Sequence, residues 1–158
     1  MSAPHRLLYI DDDEGLCRLI QKGLRRRGFE VECAYSGAEG IAKLNGGRFD
    51  VVAVDHYMPG QDGLEAMAEI LALPDAPPVV YVTGSDETRL AVAALKGGAT
   101  DYVVKTASDD FIDLLASALV QASDQIKLKR ERDVATDALR AANVALEAVV
   151  ARQAVLLR

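Results

Sequence analysis

The chain has little or none of several residue types that mark other classes of protein. Its 158 residues include no tryptophan, two cysteines and two histidines. No apolar run approaches the roughly 18 residues of a membrane-spanning helix, and the N-terminal segment is too short and mixed for a secretory signal. Cys17 and Cys33 have no second pair of metal ligands nearby, which favours buried thiols over a metal site. We therefore expect a cytoplasmic protein without membrane contact.

The scarcity of histidine and of glycine-rich loops limits the possible chemistry. His5 and His56 are the only histidines, and no P-loop or other glycine-rich nucleotide motif occurs. The chain is therefore not expected to be a complete kinase, and we expect no catalytic function as an enzyme. Up to Gln125 it has 11 basic and 20 acidic residues, a net charge of −9, whereas the remainder has 7 and 4, a net +3. An acidic main domain argues against direct nucleic-acid binding.

Five short runs rich in β-branched or aromatic residues predict strands. They lie at 6–10, 31–34, 51–54, 79–82 and 102–104. The segments between them have apolar residues at helical spacing, and glycines or prolines follow the first three of these segments. Strand and helix thus alternate five times, which predicts a parallel sheet with helices on both faces. After residue 109 there is neither glycine nor proline, so one long helix is expected there.

Acidic, hydroxyl and basic side chains follow four of the predicted strands. Asp11, Asp12 and Asp13 follow the first, and one residue follows each of the third, fourth and fifth: Asp55, Thr83 and Lys105. Each has an ordinary alternative role, such as a helix cap, a turn or a solvated surface residue. In an open α/β sheet, however, the carboxyl ends of the strands converge on one crevice. The combination therefore predicts a functional site.

The chemistry of such a site follows from its charges. Neighbouring carboxylates repel one another unless a cation binds or one of them is protonated. Mg²⁺ prefers oxygen ligands and commonly binds through one or two carboxylates while sharing a phosphate oxygen. A carboxylate can also act as a nucleophile toward phosphorus, with a metal and a lysine neutralising the transferred group. The pattern thus favours Mg²⁺-assisted phosphoryl transfer.

The motifs IDDDE, VDHYMPGQDG, VTGSD and DYVVK occur in the order and approximate spacing of the receiver domain of two-component response regulators. The chain resembles that family from Arg6 to about Gln121. The resemblance implies a flavodoxin-like (βα)5 fold, doubly wound, with strand order 2-1-3-4-5 and here an extended C-terminal helix. It also implies that a cognate histidine kinase or phosphotransfer protein phosphorylates Asp55.

The resemblance assigns further roles residue by residue. Asp12 would bind Mg²⁺ directly, Asp11 through water, and Asp55 and the backbone carbonyl of Tyr57 would complete the protein ligands. Thr83 and Lys105 would hold the phosphoryl oxygens, and Tyr102 would be the aromatic switch that responds to Thr83. Asp13 is expected to cap the first helix.

Three positions either differ from the family pattern or lie where the family adjusts the reactivity of the acyl phosphate. Thr106 follows Lys105 where the family usually has a cis-proline. Tyr57 and Ser85 occupy positions that in the family control how water reaches the acyl phosphate, and a bulky Tyr57 could shield it. His56 is expected to point away from its neighbour Asp55.

The last part of the chain predicts a coiled coil. Its heptad seam consists of Leu128, Arg132, Ala135, Leu139, Ala142, Leu146, Val149, Gln153 and Leu156. We predict a receiver domain at 1–122 and a helical extension at 123–158 that forms a homodimer; a solvated helix that frays is the alternative. The tail resembles the segment that joins N-terminal receivers to sensor histidine kinases, and a stand-alone regulator is the alternative. A Mg²⁺-dependent aspartyl phosphatase is disfavoured, because such enzymes carry the nucleophile on the first strand.

Overall fold

The computed structural model describes residues 5–84, 86–106, 108 and 110–156. Strands and helices alternate along the chain as predicted. Their bounds are β1 His5–Ile10, α1 Glu14–Arg25, β2 Phe29–Ala34, α2 Gly37–Gly46, β3 Val51–Asp55, α3 Gly63–Leu71, β4 Val79–Thr83, α4 Thr88–Lys96, β5 Asp101–Val104 and α5 Asp110–Leu156. The strands form one sheet with the order β2-β1-β3-β4-β5, and all four pairs are parallel. The predicted doubly wound fold and the long last helix are confirmed.

Side chains alternate between the two faces of the sheet and build two cores. Leu7 and Tyr9 of β1 belong to one core, which the helices α1 and α5 cover. Leu8 and Ile10 of the same strand belong to the other, which contains residues of α3 and α4. The inner strands β1, β3 and β4 therefore contribute to both cores, as expected for a parallel sheet between helices. The two thiols, on α1 and β2, are buried in the first core.

Polar side chains begin the first three helices. Asp13, Ser36 and Asp62 each accept a hydrogen bond from the backbone N–H three residues on, the usual N-cap arrangement. The predicted capping role of Asp13 is thus observed. Between α1 and β2 the chain turns at Gly28, whose φ of 87° favours glycine. These caps and turns fix where each strand begins relative to the previous helix.

The chain divides into two compact units, Met1–Ser123 and Asp124–Arg158. The first contains the sheet and the beginning of α5, where Phe111, Leu115 and Leu119 are buried in the first core. The second is helical through Leu156 and exposes large apolar side chains, among them Leu128, Leu139, Leu146 and Val149. None of the helices described is long and apolar enough to pass through a bilayer. That residues 1–122 fold independently of residues 123–158 remains a prediction.

Candidate phosphoacceptor site

The ends of β1 and β3 bring three carboxylates together. Oxygen atoms of Asp11, Asp12 and Asp55 all lie within 4.8 Å of one another. Asp11 is fully buried and Asp55 is 6% exposed, whereas Asp12 is exposed. β1 and β3 are adjacent in the sheet, with Ile10 opposite Val54. The residues that follow these two positions therefore meet at one edge.

Lys105 provides the positive charge of this cluster. It follows β5, and its backbone N–H donates to the carbonyl of Thr83 at 2.7 Å, which ties the end of β5 to the end of β4. Its ammonium donates to Asp11 Oδ2 at 3.0 Å and to Asp55 Oδ1 at 3.3 Å. Burial alone lowers the pKa of Lys105, but the hydrogen bond to Asp11 and the charge of Asp55 outweigh it, so the pKa is raised. Lys105 therefore stays charged at neutral pH.

Asp55 is the carboxyl group whose acidity is most clearly altered. Its pKa is raised from 3.8 to about 6: burial is the largest cause, the charge of Asp11 acts in the same direction, and Lys105 opposes both. One ammonium thus does not compensate two buried carboxylates and the exposed Asp12. The site has an excess of negative charge that a cation would relieve.

Asp11 is held by three donors. Besides Lys105, the hydroxyl of Tyr9 donates to its Oδ2 at 3.2 Å and the backbone N–H of Asp13 to its Oδ1 at 3.0 Å. Burial, together with the charges of Asp11 and Asp55, raises the pKa of Tyr9, which keeps this phenol a donor. The sequence did not indicate this partner. A tyrosine inside the apolar run RLLYI could have, because a buried phenol usually needs an acceptor.

A pocket of about 470 Å³ opens beside the carboxylates. Its lining comprises Asp11, Asp12, Asp13, Asp55, Tyr57, Met58, Pro59, Gly84 and Lys105. Thr83 ends β4 and is buried, but its neighbour Gly84 lines the pocket in its place. Tyr102 lies elsewhere: it is 40% exposed and lines a separate groove with Leu114 of α5.

The structure shows the conformation of two residues beside the motifs, Thr106 and His56. The peptide bond between Lys105 and Thr106 is not cis, so threonine adopts the ordinary trans form here. His56 Nδ1 lies 2.5 Å from the hydroxyl of Tyr81, a buried residue of β4. His56 therefore points to a buried tyrosine rather than into the pocket. Ser85 lies outside the described residues.

Comparison with known proteins agrees with this geometry. Residues 7–116 match the response regulator receiver domain family. The chain is 39% identical over 99 residues to the transcriptional regulatory protein ZraR of Salmonella typhimurium, covering 63% of this chain and 22% of that protein. It is 35% identical over 142 residues to the C4-dicarboxylate transport transcriptional regulatory protein DctD of Rhizobium meliloti, covering 90% of this chain and 29% of that protein.

A solved structure supports the same assignment. The receiver domain protein of Clostridium thermocellum is 30% identical and superimposes with a TM-score of 0.70, covering 78% of this chain and 98% of that one. The chain spans less than a third of the length of ZraR or DctD, so the similarity concerns only a part of those proteins. The fold, the motif order and these matches together show that the chain belongs to the response regulator receiver domain family.

Proposed function

We propose that the chain accepts a phosphoryl group on Asp55 from the phosphohistidine of a cognate kinase or phosphotransfer protein. The observation that carries this proposal is the meeting of Asp55, Lys105 and two further carboxylates in one open pocket. An Asp55 pKa of about 6 leaves the group mostly ionised at pH 7, and the ionised form is the nucleophile. In the transfer an Asp55 oxygen bonds to phosphorus, the N–P bond breaks, and its electron pair returns to the donor imidazole.

The residues around Asp55 have distinct tasks in this step. The ammonium of Lys105, fixed by Asp11, neutralises charge on the phosphoryl oxygens. The hydroxyl of Thr83 is proposed to bind a phosphoryl oxygen. Movement of Thr83 would then change the environment of Tyr102, whose exposed ring leaves it free to turn inward. The result is a switch in conformation or in dimerisation.

The acidic cluster fits Mg²⁺. Its donors are hard carboxylate oxygens, they lie within 4.8 Å of one another, and their negative charge exceeds that of Lys105. Asp12 and Asp55 are proposed as direct ligands and Asp11 as a ligand through water, with the carbonyl of Tyr57 as a third protein ligand. When bound, the ion would neutralise charge on the transferring phosphoryl group. Asp11 also orients Lys105, a task that needs no metal.

A second copy of the chain is the proposed partner of the C-terminal helix. Leu128, Leu139, Leu146 and Val149 of the predicted seam are each between 48% and 65% exposed in the single chain. In a parallel, in-register pair, Asp124 at a g position would approach Lys129 of the second copy at the following e position, an attractive pairing. Val134 and Val144 are also exposed but lie off this seam. The kinase-linked context and the absence of nucleic-acid contact remain predictions; ZraR and DctD, by their names, are transcriptional regulators.

Incubation with acetyl phosphate and Mg²⁺, followed by intact-mass analysis, tests the phosphoacceptor assignment. One phosphoryl group is expected on the native chain and none on Asp55→Asn, while excess chelator should prevent the gain in mass. Equal labelling of the Asn variant would exclude Asp55 as the acceptor. Release of many equivalents of phosphate without an accumulating acyl phosphate would instead indicate a phosphatase.

A further inference from the structure

One carboxylate joins two sides of the pocket rim. Glu87 lies between β4 and α4, and its Oε1 accepts a hydrogen bond from the hydroxyl of Tyr57. Its Oε2 accepts from the backbone N–H of Gly84 at 3.2 Å. Tyr57 and Gly84 both line the pocket that contains Asp55. Glu87 therefore connects the segment after β3 with the segment after β4.

The position of Glu87 in the chain makes this use of its side chain unusual. Glu87 is the N-cap residue of α4, yet its side chain makes no capping hydrogen bond. At the corresponding position of α1, α2 and α3, an aspartate or serine accepts from the helix backbone. Glutamate is too long to favour that geometry, and here it reaches back to the rim instead. Helices usually begin with a short polar N-cap residue, and an exception to this preference is expected where the side chain takes part in a functional site instead.

Tyr57 is held at the rim from two directions. Its ring packs edge to face against His56, with centroids 4.8 Å apart, and its hydroxyl donates to Glu87. His56 is in turn fixed by Tyr81 at 2.5 Å. Tyr57 is nevertheless 63% exposed, so little core packing restricts its ring. Its charge-assisted hydrogen bond to Glu87 is the contact that selects one orientation.

We propose that Glu87 is a positioning residue that holds Tyr57 at the pocket rim and thereby slows hydrolysis of the acyl phosphate on Asp55. This inference rests on the proposed phosphorylation of Asp55. In hydrolysis a water oxygen bonds to phosphorus, the bond between Asp55 Oδ and phosphorus breaks, and its electron pair remains on the carboxylate. The proton lost by the water passes to the phosphate or to solvent. A ring fixed at the rim restricts the approach of that water, and a ring free to rotate restricts it less.

Measurement of the acyl-phosphate lifetime in matched variants tests the proposal. The full chain is labelled with acetyl phosphate and Mg²⁺, desalted, and followed by intact mass. Glu87→Ala and Tyr57→Phe should each shorten the half-life by about three- to tenfold, the effect of losing one solvent-exposed hydrogen bond of ordinary net strength. Phenylalanine keeps the ring and the backbone carbonyl, so Tyr57→Phe isolates the hydroxyl. Glu87→Gln can still accept from Tyr57 and should lie closer to the native half-life than Glu87→Ala does.

Two controls test whether a shorter half-life comes from the lost contact between Glu87 and Tyr57, rather than from a general loss of negative charge or from misfolding. Asp86→Ala removes an exposed carboxylate from the same loop and should leave the half-life unchanged. The double variant Tyr57→Phe/Glu87→Ala should be no shorter-lived than the shorter-lived single variant, because both substitutions break the same contact. Native half-lives in Glu87→Ala and Tyr57→Phe, or an equal loss in Asp86→Ala, would overturn the inference while leaving phosphorylation intact. A native chain that gains no phosphoryl mass would overturn the proposed function as well.

Discussion

The ammonium of Lys105 lies 3.0 Å from the fully buried carboxylate of Asp11, closer than its 3.3 Å approach to Asp55. The shortest contact of the lysine ammonium is thus with a residue other than the proposed acceptor. Asp11 holds the ammonium beside Asp55 before any phosphoryl group arrives. Such preorganisation lowers the cost of placing a cation at the moment of transfer.

Removal of the Lys105 ammonium should lower the free energy of unfolding. Lys105→Met leaves Asp11 and Asp55 without their ammonium, and because the lysine side chain is 29% exposed, we expect a loss of about 2 kcal/mol, below the range for fully buried pairs. The loss should be smaller at pH 5 than at pH 7, since protonation of Asp55 then relieves the repulsion. Urea unfolding in chelator at both pH values measures it. Lys96→Met, an exposed lysine of α4, is the control, and an equal loss there would contradict the prediction.

Asp55→Asn should stabilise the metal-free protein at neutral pH. The pKa of Asp55 is raised in the folded state from 3.8 to about 6. A raised carboxyl pKa favours the folded state at low pH, where the group is protonated, and this contribution is lost as the pH rises through about 6. The cost at pH 7.5 is at most about 3 kcal/mol for a shift of roughly two units. Asparagine carries no charge and therefore avoids this cost.

Thermal unfolding of the native chain and of Asp55→Asn, in chelator between pH 4 and 8, measures how much the charge of Asp55 destabilises the fold. The melting temperature of the variant should exceed that of the native chain at pH 7.5, and the difference should disappear toward pH 4. Glu69→Gln, which neutralises an exposed carboxylate of α3, should show no such dependence. A pH-independent difference for Asp55→Asn would mean that its charge is not the cause.

A methyl group at Gly63 should disturb the site without touching its charges. A Cβ there would lie 2.5 Å from the carbonyl oxygen of Asp55 and 2.6 Å from the hydroxyl of Tyr81. The backbone of Asp55 or the start of α3 must then shift, and we expect Gly63→Ala to cost about 1–3 kcal/mol and to slow phosphorylation. Gly46→Ala is the matched control, because an added Cβ there would meet no atom within 4 Å apart from its chain neighbours and the backbone of its own helix. Equal stability of the two variants would contradict this account.

The C-terminal helix should mediate self-association. Sedimentation of the full chain is expected to show a dimer, whereas a version ending at Gln125 and the variant Leu139→Asp/Leu146→Asp should be monomeric, because charge in the seam prevents its burial. Val134→Asp/Val144→Asp places the same charges at exposed positions off the seam and should remain dimeric. If all four proteins associate equally, the tail is not the dimerisation element. Repeating the series with beryllium fluoride measures how phosphorylation changes the affinity.

The sequence predicted the fold well because its strands are short apolar runs bounded by turns. Each observed strand begins within two residues and ends within one residue of its predicted position. The carboxylates could be placed at one edge because parallel strands end there together. The partners of His56 and Glu87 could not be predicted, since these contacts join residues 25 and 30 positions apart and depend on side-chain direction. Tyr81 illustrates this: it reads as one more apolar residue of VVYV, yet its hydroxyl fixes His56.

The pairing of β3 also limits how this protein can change in evolution. β3 lies between β1 and β4, with Val54 opposite Ile10 and Asp55 opposite Val82. A single-residue insertion or deletion within β3 would exchange its two faces and move Asp55 away from Lys105. A change of length in a connecting loop leaves this register intact, so the strand pairing rather than the loop lengths fixes where Asp55 lies relative to Lys105.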